Sequence, residues 1–124
     1  MKPTVKVALI GSRTITERDY VFSVFNFFLR NLMKDNEVVI ISGNALGVDR
    51  LAEDFAATNN LRTEIYLPNY KEFGIKATHI RNSEIVNNCD YLLAITNGSK
   101  GTESTIKKAI KRGVNVKVVK YENT

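Results

Sequence analysis

The chain has 124 residues, of which 44% are hydrophobic and 25% charged. That is the make-up of one globular domain, and it excludes disordered, fibrous and disulfide-scaffold classes. One cysteine, Cys89, leaves no disulfide framework or cysteine-built metal centre within the chain. The net charge of +5, from 18 basic and 13 acidic residues, suits an anionic ligand and permits weak nucleic-acid binding. No apolar run nears the roughly 20 residues of a membrane span, and the opening residues lack the apolar segment of a signal peptide. The expectation is a cytoplasmic protein with no membrane association.

Short β-branched runs alternate with longer amphipathic stretches. Thr4 to Ile10 reads as a strand ending at Gly11-Ser12-Arg13. A helix is predicted from Thr16, with Asp19 three residues on in the manner of a capping box. Val21, Val24, Phe25, Phe28, Leu29 and Leu32 follow at helical spacing, and Phe22 and Phe27 fall off that stripe. Glu37 to Ser42 is dominated by a continuous apolar run, as in a strand buried on both faces. A turn over Gly43 to Gly47 leads into a helix over about Val48 to Asn59. Arg62 to Leu67 is a third strand, Pro68 to Lys76 a polar and aromatic loop, and Ala77 to Asn88 a helix. Asp90 to Thr96 is a fourth strand and Asn97 to Gly101 a loop. Thr102 to Arg112 is a helix stopped by Gly113, and Val114 to Val119 a fifth strand.

Strands alternating with helices predict a mainly parallel five-stranded sheet with right-handed crossovers, hence a three-layer Rossmann-like α/β sandwich filling residues 1–124 as one domain. Ligands of such sheets bind beyond the carboxyl ends of the strands. All four strand-to-helix loops contain glycine and fall at that edge. Gly11-Ser12-Arg13 offers a sharp turn, a hydroxyl and a guanidinium suited to phosphate; it is neither GxGxxG nor a P-loop, and an exposed turn is its plain alternative. Ser42 to Asp49, with Gly43 and Gly47 bracketing the turn, puts a helix mouth beside it, where backbone N–H groups favour anions. Asp49 serves there either as favourable charge placement or as an acceptor for ribose hydroxyls or water. Gly98, Gly101 and Thr102 form a second anion cradle of the same kind.

Other residues carry two readings each. Tyr70 and Phe73 either stack a base or plug the space under their loop, and the plug is preferred. Lys107, Lys108, Lys111 and Arg112 read first as a solvated helix end. His79, the sole histidine, has no partner spacing for a metal, and no metal or cofactor is expected. Cys89 reads as a small core residue rather than a nucleophile.

Taken together, Gly11-Ser12-Arg13, Ser42-Gly43-x-Ala45-x-Gly47-x-Asp49-Arg50, Ile80-Arg81-Asn82 and Gly98-x-x-Gly101-Thr102 resemble the SLOG superfamily, which unites the DNA-processing SMF proteins with the Lonely Guy phosphoribohydrolases. The likeness runs from about Val5 to Val119 and is nearest to the YspA/YpsA-related branch. It implies a nucleotide-type ligand held by Gly11, Ser12, Ser42, Gly43, Gly47, Asp49, Arg81, Asn82, Gly98, Gly101 and Thr102, and possible homodimers. One departure matters. Lonely Guy enzymes carry Pro-Gly-Gly-x-Gly-Thr-x-x-Glu, and Thr105 stands here in place of the final Glu. The first expectation is therefore a module that binds or senses a nucleotide or nucleotide derivative. The alternatives are an N-glycosidic phosphoribohydrolase, with Asp49 or Glu84 as its carboxylate, and single-stranded DNA binding. No basic stripe with interleaved aromatics marks the last.

Overall fold

The apolar run of the second strand sets the layers: Val38, Val39, Ile40 and Ile41 are all essentially inaccessible, which requires helices over both faces of the sheet. A computed structural model describes residues 2–122. Its elements are β1 (Thr4–Gly11), α1 (Arg18–Asp35), β2 (Glu37–Ser42), α2 (Val48–Thr58), β3 (Arg62–Ile65), α3 (Tyr70–Phe73), a 3-10 turn (Gly74–Lys76), α4 (Ala77–Asn88), β4 (Tyr91–Thr96), α5 (Lys100–Arg112) and β5 (Asn115–Lys120). The five strands pair in the order β3-β2-β1-β4-β5, every pair parallel. Successive side chains of β1 part company between two cores. Val7 and Leu9 join Val21, Phe25 and Leu29 of α1 and Ala52 and Phe55 of α2. Ala8 and Ile10 join Ile85 and Val86 of α4 and Ile106 and Ala109 of α5. The expected three-layer Rossmann-like sandwich is what forms.

Several local expectations are corrected. Helix α1 begins at Arg18; Glu17 caps it without a side-chain bond, so Thr16 and Asp19 form no capping box. Phe22 packs on the same core as Phe25, edge-on to Phe55 at 5.4 Å, whereas Phe27 is 65% exposed. Strand β3 stops at Ile65, not Leu67, because it is an edge strand and its one neighbour, β2, ends at Ser42. The Tyr66 N–H makes a last bond to the Ser42 carbonyl at 2.9 Å. The segment from Pro68 to Lys76 holds α3 and the 3-10 turn. The Asn69 side chain accepts from the Glu72 N–H at 3.1 Å, capping α3, and its NH2 group donates to the Glu72 carboxylate at 3.2 Å. Tyr70 and Phe73 remain exposed rather than plugging the space beneath. Helix α5 starts at Lys100, two residues early, with Ser99 as its N-cap residue. None of the described helices is long and apolar enough to cross a membrane.

The chain runs from β1 outward to β3, then crosses back to lay β4 on the other side of β1. The order therefore reverses between β1 and β4, and a crevice opens where the loops after these strands diverge.

Candidate functional site

At the carboxyl ends of the strands, on the side covered by α4 and α5, lies a cleft of about 970 Å³, at the upper end of the usual ligand-site range. Ile10 and Ile85 are among its apolar lining. Of the residues expected from sequence, Gly11, Arg13, Gly43 and Asp49 line it from the loops after β1 and β2; Arg81 and Asn82 line it from α4, and Gly101 and Thr102 from α5. Ser12, Ser42, Gly47 and Gly98 do not line it. Glu84 lies on α4, exposed and outside the cleft. Thr78, Ser104 and Thr105 were not among the expected residues. Their signal was present, since Thr78, Arg81, Asn82 and Ile85 recur at helical spacing on one face of α4, and Gly101, Thr102 and Thr105 do so on α5.

The buried serines hold the loops instead of facing a ligand. Ser12 is 1% exposed. Its hydroxyl accepts from the Asn97 N–H at 3.0 Å and meets the Ser99 hydroxyl at 2.8 Å, and Ser99 donates to the Thr102 hydroxyl at 3.0 Å. Asn97 also donates to the Thr14 hydroxyl at 2.8 Å. These bonds join the loop after β1 to the loop after β4. Ser42 binds the Glu53 carboxylate at 2.8 Å and accepts from the Asn44 N–H at 3.1 Å, shaping the loop after β2. Gly47 has φ +78°, and a Cβ there would lie 2.5 Å from the Ser12 carbonyl oxygen. Gly11 is equally tight against the Ile95 carbonyl and Val48. Both glycines are needed for backbone packing between loops.

The loop before α2 already holds an anion of the chain's own, the Asp49 side chain. The Asp49 carboxylate accepts from the Ala45 N–H at 3.3 Å, and the Gly11 amide adds a weaker favourable influence. Burial raises its pKa from 3.8 to about 6; those amides and the nearby Arg81 guanidinium pull it down, and Glu53 adds to the rise. Arg81, almost wholly buried, donates to the Gly43 carbonyl at 2.6 Å and to the Asn82 side-chain oxygen at 2.8 Å. A Cβ on Gly43 would sit 2.9 Å from both Arg81 Nη1 and Asp49 Oδ2, so glycine keeps that corner open.

The mouth of α5 is arranged differently. The first intrahelical bond runs from the Glu103 N–H to the Ser99 carbonyl, and the Ser99 side chain makes no cap bond. The amides of Lys100, Gly101 and Thr102 thus precede the helix's own ladder. No atom lies within 4 Å of a Cβ built on Gly101. Thr105 donates its hydroxyl to the Gly101 carbonyl at 3.0 Å, and Glu103 points away, into a neighbouring depression of about 500 Å³ lined with Lys100, Lys107, Lys108 and Lys111. Lys108 also donates to the His79 carbonyl and the Ser83 hydroxyl, both at 3.2 Å. Among the described residues no group of three His, Cys, Asp or Glu is placed to hold a metal ion.

Comparison with known proteins fits this architecture. The X-ray structure of DNA processing protein A from Streptococcus pneumoniae superposes with a TM-score of 0.74 at 21% identity, over 94% of this chain and 50% of that one. The chain thus spans half the length of that protein, and the likeness shows the shared fold. No curated protein matches the chain. The resemblance to the superfamily that includes the DNA-processing proteins holds. A family described as DNA recombination-mediator protein A matches residues 1–113, nearly the whole of the fold just described, and the chain belongs to that family.

Proposed function

We propose that the cleft binds a nucleotide by its phosphate, seated at the mouth of α5 between the Lys100–Thr102 amides and the Arg13 side chain. The carrying observation is the contrast between the two helix mouths. Beside α2 the chain's own Asp49 carboxylate already takes the Ala45 amide of the preceding loop, whereas at α5 Lys100, Gly101 and Thr102 line the cleft with open space at Gly101. Peptide dipoles and free N–H groups favour an anion there. Asp49 and Arg81 then hold the inner wall of the cleft, where hydroxyl groups of a sugar find an acceptor and a donor.

Gly101→Asp tests the reading. There is room for the side chain, and an acidic residue in a helix's first turn is favourable, so folding is expected to survive. Its carboxylate would occupy the phosphate seat. Calorimetry with adenosine 5′-monophosphate should show affinity for the wild type and at least a tenfold loss in the variant. Equal binding by both proteins would remove the α5 seat from consideration.

A second reading, single-stranded DNA, is favoured by the lysine-lined depression. It shares Lys100 and Ser104 with the cleft, so phosphates leaving the cleft would meet Lys107 and Lys111 next. The family's name, DNA recombination-mediator protein A, points the same way. A deoxythymidine oligomer should then bind with an affinity that falls with salt, and Lys107→Glu with Lys111→Glu should flatten the log–log slope by about 1.4, at roughly 0.7 per phosphate contact. An unchanged slope would leave the mononucleotide as the ligand.

A further inference from the structure

The two ends of the cleft differ in chemistry. The end beneath β4 carries the α5 amides, Lys100 and Thr102. The end beneath β3 carries Leu67, Pro68 and Tyr70. The strand order places two further strands, β2 and β1, between them, so at about 4.8 Å per interval the ends stand roughly 14 Å apart. A phosphate alone would cover a small part of that span.

Leu67 and Tyr70 are 64% and 60% exposed, yet both belong to the cleft wall. Tyr70 is not on a slack loop. It opens α3, which Asn69 caps by accepting from the Glu72 N–H, so its backbone is held before any ligand arrives. A flat apolar group laid against this wall would cover surface that otherwise faces water.

We propose that Tyr70, with Leu67 beside it, is the platform for the base of the nucleotide whose phosphate sits at α5. This rests on the cleft reading above and adds to it the class of ligand. Contact is with the face of a ring rather than its hydrogen-bonding edge, so purines and pyrimidines are both accepted. The ligand is one nucleotide unit, free or within a strand.

The chain contains no tryptophan, so Tyr70→Trp makes a single indole reporter at an exposed position. Adenosine and uridine 5′-monophosphates should each quench or shift its fluorescence, and ribose 5-phosphate should not. If only a deoxythymidine tetramer does so, the proposal stands and the unit belongs to a strand. In parallel, Tyr70→Ala should weaken binding of the responding nucleotide by roughly five- to hundredfold, and Tyr70→Phe should retain it. Ribose 5-phosphate should bind the wild type and Tyr70→Ala alike. Nucleotide affinity that is unchanged in Tyr70→Ala, with Gly101→Asp still abolishing it, overturns the platform and leaves the phosphate seat standing. Failure of the monophosphates, the tetramer and ribose 5-phosphate alike to bind the wild type overturns both.

Discussion

Replacing Asp49 with Asn removes a charge that burial opposes, and the effect on stability has a definite sign and pH window. The carboxyl has its ordinary pKa of 3.8 in the unfolded chain and about 6 in the folded one. The folded state therefore prefers the protonated form. The stability this contributes is fully present below pH 3.8 and is lost as pH rises through 6. At about 1.4 kcal/mol for each tenfold change in proton affinity, the loss is on the order of 3 kcal/mol, a large part of a domain's usual 5–15 kcal/mol or so. Asn cannot titrate. Its side-chain oxygen can still accept from the Ala45 N–H, and whatever its NH2 group costs does not vary with pH. Urea unfolding of both proteins between pH 4 and 8 isolates the titrating part, provided the slopes against urea agree. The stability of Asp49→Asn relative to wild type should climb by about 2.5 kcal/mol across that range, steepest between pH 4 and 6 and levelling off above pH 6. A flat difference, or one falling with pH, would refute the account of Asp49 as a charge held against its burial.

Gly47→Ala should cost about 3 kcal/mol or more, from a positive φ together with backbone overlap at 2.5 Å. Gly98→Ala, with φ +94° but open space, should cost about 1 kcal/mol, so near-equal melting temperatures would contradict the loop-packing role of Gly47. Ser12→Ala leaves the part-buried Asn97 N–H without its acceptor and should destabilise by about 1 kcal/mol, with faster hydrogen exchange at that amide; unchanged exchange would count against the joined loops. Burial, aided by Asp90, pushes the Cys89 thiol up to about 11. Fewer thiolates, partly offset by their greater nucleophilicity, should slow its reaction with a disulfide reagent at pH 7.5 about tenfold relative to an exposed cysteine. Reaction at the exposed-cysteine rate would contradict that.

The layers were legible because burial writes itself into hydrophobic pattern: Val38 to Ile41 is apolar without a break, and β2 is covered on both sides. Boundaries that depend on a neighbour were not. Leu67 is as strand-like as Ile65, yet β3 ends where β2 has no more backbone to offer. Helix α3 did have a signal, Asn69 with Glu72 three residues later, that pattern reading along the loop passed over. For the site, glycine content pointed to the right rim but not to what each glycine does there. Gly11 and Gly47 serve contacts between loops far apart in sequence, and Gly101 faces open space. Nor could sequence show that the Asp49 carboxylate would turn back onto the Ala45 amide, since that follows from its depth of burial and from how the loop after β2 folds.

The hydroxyls between the loops after β1 and β4 have a direction. The Asn97 N–H donates into Ser12, and Ser99 spends its proton on Thr102, so the Ser12 proton must go to Ser99. Only the last proton, that of Thr102, is left to point into the cleft. Each link polarises the next, which makes Thr102 a stronger donor than an isolated threonine. A guest that accepts there extends a relay already aligned, whereas a guest that donates meets only the second lone pair of the Thr102 oxygen and gains nothing from the row. The row of hydroxyls therefore ends at the cleft wall as a donor, and its polarity is set by a backbone amide at the far end.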